Sequence, residues 1–100
     1  MNFVDAARMD KIAPGTSIVV RIADQDVALF NVDGNIYAIA DSCAHAGASL
    51  GAGKLNGTIV TCRAHGLRYD VTTGQVTTGG FGVASYPVRV VDGKIMVAIN

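Results

Sequence analysis

Every cysteine and histidine of this 100-residue chain falls in two short arms, Cys43-Ala44-His45 and, after a gap of 16 residues, Cys62-Arg63-Ala64-His65-Gly66. Side chains two or three positions apart in a tight loop can converge on one centre. Each arm therefore offers one thiolate and one imidazole, and the two together make one ligand set. A fold that uses them must present two loops side by side on a scaffold. A structural zinc site accepts two sulfurs and two nitrogens, but its usual spacing puts both cysteines on one arm and both histidines on the other. Here each arm is mixed. Singly, a buried cysteine reads as a small hydrophobe and a lone histidine as a satisfied polar group; the paired spacing is what argues for a metal centre.

The remaining sequence reads as strands and turns. Residues 2–5 suggest a short strand, and Pro14-Gly15 a turn. Ser17 to Ala23 is β-branched, Asp24-Gln25-Asp26 breaks it, and Val27 to Val32 returns as a hairpin partner. Asp33-Gly34 then turns the chain into a third strand, Ile36 to Ala40, because such dipeptides tolerate the positive φ of tight hairpins. Residues 42–53 are nearly all Ser, Ala and Gly, compatible on composition with a flexible linker. Asn56-Gly57 turns into Thr58 to Thr61, which delivers the second arm, and Leu67 to Val71 leaves it. Thr77 to Gly82 reads as a flexible third loop. Ser85 to Val91 and Lys94 to Ile99 form a closing hairpin around Asp92-Gly93. No helical periodicity and no internal repeat stands out.

Length and composition bound the function classes. One hundred residues allow one small domain with a thin core. Charged residues and glycines interrupt every apolar run well short of the roughly 20 residues of a membrane span. No signal peptide is visible at Met1-Asn2-Phe3-Val4-Asp5, which makes the cytoplasm the expected compartment. With formal net charge zero and no basic run, nucleic acid is not an expected partner.

The centre that takes one Cys and one His from each arm is the Rieske [2Fe–2S] cluster, with two cysteines on one iron and two histidines on the other. The sequence resembles the Rieske-type ferredoxins, the electron carriers of multicomponent ring-hydroxylating oxygenases. The likeness rests on Cys43-x-His45, Cys62-x-x-His65-Gly66, Tyr69-Asp70, Thr73-Gly74, Tyr86-Pro87-Val88 and Asp92-Gly93. It implies an all-β, Rieske-like fold: an antiparallel scaffold (about 1–40 and 73–100) carrying an inserted cluster-binding lobe of two loops (about 41–72), as a single domain over 1–100. It further implies one cluster per chain, held by Cys43 and Cys62 on the buried iron and by His45 and His65 on the outer one. Small residues let backbone N–H groups approach the sulfurs, with Ala46, Gly47 and Gly66 as candidate donors. Tyr69 matches the position of a hydroxyl that bonds a ligand sulfur in high-potential members.

The chain departs from the family's usual pattern at several places. Arg63 and Ala64 replace proline and an aromatic, Leu67 stands where high-potential members have a second hydroxyl donor, and residues 77–82 contain no proline. Phe81 then either covers the site or, as the favoured reading, anchors the third loop in the core. An intermediate to low reduction potential is expected within the range of roughly −150 to +300 mV. The implied partners are a flavin-containing ferredoxin reductase and a terminal oxygenase. Ala44, Ala46, Ala64 and Leu67 would form the rim around the histidines, and Lys54, Arg68 and Arg89 are candidate docking charges. The chain itself is not expected to be an enzyme, because an oxygenase needs further histidines for its mononuclear iron. The alternatives are the small Rieske-like subunit of an assimilatory nitrite reductase and a structural Cys2His2 zinc module.

Overall fold

The computed structural model describes residues 2–43, 47–64 and 66–99. Ala44, His45, Ala46 and His65, all singled out above, lie outside the described residues. Among the described residues there are ten strands and no α-helix: β1 (Phe3–Arg8), β2 (Ser17–Ile22), β3 (Gln25–Val32), β4 (Asn35–Ala40), β5 (Lys54–Asn56), β6 (Ile59–Thr61), β7 (Arg68–Asp70), β8 (Ser85–Tyr86), β9 (Val88–Val91) and β10 (Lys94–Ala98). They form three antiparallel sheets, ordered β1-β10-β9, β2-β3-β4-β8 and β5-β6-β7. The all-β expectation is met.

Two-residue turns set the registers of the meander. Ile22 pairs with Gln25, Val32 with Asn35 and Val91 with Lys94. The residues between them, Ala23-Asp24, Asp33-Gly34 and Asp92-Gly93, all have positive φ. This twist matches the right-handed twist of the strands it joins. The first of these turns differs from the expected Asp24-Gln25-Asp26 break. Gln25 and Asp26 belong to β3, and Ala23 adopts φ 49°, a conformation that alanine does not advertise in sequence.

The centre of the molecule is β3, whose run Val27-Ala28-Leu29-Phe30 is wholly buried. Successive side chains of a strand point to opposite faces, and here each face meets a different core. Val27 and Leu29, with Ile36 and Ala38 of β4, join Ile12, Ile22, Ile95 and Val97 beneath β10. Ala28, Phe30 and Ile39 face the other way, onto Leu50, Val60, Tyr69, Val71 and Val76 and onto both cysteines. The middle sheet is therefore the layer on which the ligand loops rest.

Ser85 to Val91, expected as one strand, changes sheets part-way. Ser85 and Tyr86 pair with β4, whereas Val88 to Val91 pair with β10. Pro87 separates them; it has no N–H to continue a ladder. Its carbonyl accepts the Ala98 N–H at 3.1 Å.

The third loop is pinned. Val76 N–H donates to the Phe81 carbonyl at 3.0 Å, Val83 N–H to Gly74 at 2.8 Å and Thr77 N–H to Arg68 at 2.8 Å. Phe81 is 43% exposed, so the core-anchor reading is overturned. The loop holds its shape through backbone bonds and through glycines packed against backbone, which leaves the aromatic ring free of the core.

Candidate metal centre

Cys43 follows the end of β4, and Cys62 directly follows β6. Both are buried, at 2% and 1% exposure, in the same core cluster, and no disulfide joins them. The two turns that carry them share one hydrogen-bond pattern. Cys43 N–H donates to the Ala48 carbonyl at 2.7 Å, and Cys62 N–H donates to Leu67 at 2.7 Å, five residues on in each case. Gly47 N–H returns to the Cys43 carbonyl at 2.8 Å, and Gly66 N–H to the Cys62 carbonyl at 3.0 Å. Both glycines are left-handed, at φ 71° and 70°, a conformation that costs other residues about 1 kcal/mol or more. Two copies of one turn thus aim two sulfurs into one core.

The glycine N–H groups have partners within the turns themselves. The Gly47 and Gly66 N–H groups, expected as donors to cluster sulfurs, are engaged by the cysteine carbonyls. Their left-handed φ lets the chain reverse after each cysteine. The donor role expected of Ala46 lies outside the described residues, as do the ligand roles of His45 and His65.

Tyr69 stands where the sequence places it. Its ring is wholly buried in the core that holds the cysteines, and its hydroxyl is 3.1 Å from Cys43 Sγ. The link crosses from the second arm's exit strand to the first arm's cysteine, so it ties the two loops together. When Cys43 is a metal-bound thiolate, the hydroxyl must be the donor, because the sulfur then has no proton to give.

Ala48, Ser49 and Ala52 from the first loop and Arg63 and Ala64 from the second line a shallow hollow of about 370 Å³. Residues following the first arm and residues of the second meet there. Lys54 and Arg68 both pair with Thr61, one from each side, so they form a row across the β5-β6-β7 sheet beside Cys62. Arg89 is not part of that row: it lies on β9 with its guanidinium 4.3 Å from the Phe3 ring centroid.

The residues present fit an iron–sulfur centre. A mixed-arm pair of buried cysteines in matched turns, one of them bonded by a buried hydroxyl, is a donor set for a thiolate-ligated cluster, whose sulfurs accept hydrogen bonds. Residues 2–87 match the Rieske [2Fe-2S] domain. The chain belongs to the Rieske [2Fe–2S] family.

Within that family it is a Rieske-type ferredoxin, and its cofactor is one [2Fe–2S] cluster. The chain is 34% identical over 101 residues to the ferredoxin component of the naphthalene 1,2-dioxygenase/salicylate 5-hydroxylase systems of Ralstonia sp, covering 99% of this chain and 97% of that one. It is similar in structure to the ferredoxin of carbazole 1,9a-dioxygenase from Nocardioides aromaticivorans IC177, with TM-score 0.93 and 29% identity over 100% of both chains. A second structure, a complex of reduced oxygenase and oxidised ferredoxin in carbazole 1,9a-dioxygenase, matches with TM-score 0.87 and 29% identity, covering 96% of this Rieske ferredoxin and 92% of the matched chain. No helix among the described residues is long and apolar enough to cross a membrane.

Asp41 is a buried residue beside the site that sequence reading passed over. It is buried at 7% exposure immediately before the first arm. Its only signal in the sequence is an acid placed at the edge of a Ser/Ala/Gly stretch.

Proposed function

We propose that Cys43 and Cys62 hold one iron of the cluster and His45 and His65 the other, and that this Rieske ferredoxin passes single electrons from a flavin-containing ferredoxin reductase to a terminal oxygenase in the cytoplasm. The observation that carries this reading is the pair of buried cysteines, at the bases of two matched turns, in one core. When bound, the cluster supplies a reversible one-electron couple. The chain supplies the rest. The matched turns fix the two sulfurs, and the core of Phe30, Leu50 and Tyr69 excludes water from them. His45 and His65 belong to the same lobe of about 41–72 and complete the proposed ligand set.

Partner contact fits the surface at the second arm. Ala64 and Arg63 are exposed and Leu67 is half-buried, next to the Lys54–Arg68 row. A small apolar rim edged by cations suits a brief encounter with an acidic face, since transient redox contacts bury little area and are steered by charge. The near-full-length likeness to an oxygenase-system ferredoxin favours this reading over the nitrite reductase small subunit.

The test is an EPR spectrum after anaerobic dithionite reduction, with iron and acid-labile sulfide measured on the same sample. A rhombic signal with average g below the free-electron value, lost on reoxidation and absent in His45→Cys or His65→Cys, supports the mixed ligand set. A colourless protein that contains zinc and stays silent after anaerobic reconstitution would refute it.

A further inference from the structure

Among the described residues, Asp41 is the only charged side chain that is buried, and it stands two residues before Cys43. Withdrawing a carboxylate from water is costly unless hydrogen bonds replace its hydration. Here Oδ1 accepts the Ser49 hydroxyl at 2.9 Å and the Gly51 N–H at 2.7 Å. The backbone of Asp41 is held as well: its N–H donates to Asp26 O at 3.0 Å, and its carbonyl accepts the Leu50 N–H at 2.6 Å. Gly51 is required for this approach. A Cβ there would stand 2.5 Å from Val19 Cγ2 and 3.1 Å from Asp41 Oδ1.

The two ligand turns share one hydrogen-bond pattern but have different stems. The second grows out of a regular ladder, with Thr61 opposite Arg68, Val60 opposite Tyr69 and Ile59 opposite Asp70. Beneath the first turn there is a single isolated bridge, Ser42 to Ser49. The next rung is made by Asp41, whose carboxylate and carbonyl take the N–H groups of Gly51 and Leu50. A side chain thus does for the first turn what strand pairing does for the second.

We propose that Asp41 is the positioning residue of the first ligand loop: its buried carboxylate clamps Ser49 and Gly51 against the end of β4 so that Cys43 is fixed, and its charge biases the bound cluster toward the oxidised state. The proposal rests on Cys43 being a ligand. A negative charge held beside the site disfavours the arriving electron, and the donors from Ser49 and Gly51 temper it. Removing the charge while keeping an acceptor and removing a donor while keeping the charge must then move the potential in opposite directions. A purely structural clamp would not produce that pair of signs.

The experiment compares the loaded wild-type protein with Asp41→Asn, Asp41→Ala and Ser49→Ala, reading iron and acid-labile sulfide per chain, far-UV circular dichroism and the reduction potential. Asp41→Asn is expected to keep its cluster and to favour the reduced form up to tenfold more, an upward shift of up to about 59 mV for one electron. Ser49→Ala is expected to shift the potential downward by less. Asp41→Ala is expected to keep its strand signal while losing iron and sulfide together. An unchanged potential in Asp41→Asn, or full iron content in Asp41→Ala, would overturn the proposal. If Asp41→Asn fails to load, the sign of the Ser49→Ala shift decides, and a rise overturns it. Wild-type protein that takes up neither iron nor sulfide on reconstitution would instead sink the ligand assignment.

Discussion

The Tyr69 hydroxyl, 3.1 Å from Cys43 Sγ, is the individual contact with the most direct electronic consequence. Reduction adds negative charge to the cluster and its sulfurs, so a hydrogen bond donated to a ligand sulfur strengthens on reduction and raises the potential. If the difference between the two redox states is about 1 kcal/mol, a fraction of a charge-assisted bond, removing it lowers the potential by about 40 mV. Tyr69→Phe is therefore expected to fall by that order in protein-film voltammetry, with its cluster retained. An unchanged value would mean that the hydroxyl serves packing alone. With Leu67 in place of a second donor, the wild-type value is expected in the middle or lower part of the range from roughly −150 to +300 mV. Tyr69 was legible through its match to a motif position of the Rieske family. Asp41 was not, because its partners Ser49 and Gly51 lie 8 and 10 residues on and nothing in the sequence brings them back.

The glycine contacts decide how the elements around the site hold their shape. At Gly74, with φ 82°, an added Cβ would stand 2.2 Å from the Val83 carbonyl oxygen. That clash is with backbone and cannot be relieved by a rotamer. Gly74→Ala is expected to destabilise the fold by about 2–4 kcal/mol, from left-handed strain together with overpacking, read from the midpoint of a urea transition. Gly66 is a contrast: it is also left-handed, but nothing among the described residues lies within 4 Å of its missing Cβ. Gly66→Ala should cost only about 1 kcal/mol, and a penalty as large as that at Gly74 would show that the turn geometry is wrong. The hairpins were legible wherever Asp-Gly marked them. The Ala23-Asp24 turn and the change of sheet at Pro87 were not, because in both the pairing partner, rather than the local residue type, fixes the outcome.

For the whole molecule, the cysteines belong to the core that rests on the middle sheet, so cluster and fold are coupled. A group that binds only the native state stabilises it by mass action. Chelation of the iron under anaerobic conditions is expected to lower Tm by several degrees, and an unchanged Tm would place the cluster outside the cooperative unit. Docking is a whole-molecule property as well. Lys54→Glu/Arg68→Glu is expected to slow electron transfer to an acidic partner about tenfold or more at low salt and to flatten its ionic-strength dependence, in keeping with the range of charge steering. Arg89→Glu, on the other sheet, is the control that should change the rate little. What the sequence determined by itself was the pairing of a cysteine and a histidine in each arm, the turn chemistry and the strand class, since residue spacing, Asp-Gly turns and β-branched runs are local. Only the tertiary structure decided that β3 would serve two cores, that Lys54 and Arg68 but not Arg89 would share a row, and that a buried aspartate would stand in for a missing strand. Each of these depends on contacts between residues far apart in the chain, which no local pattern encodes.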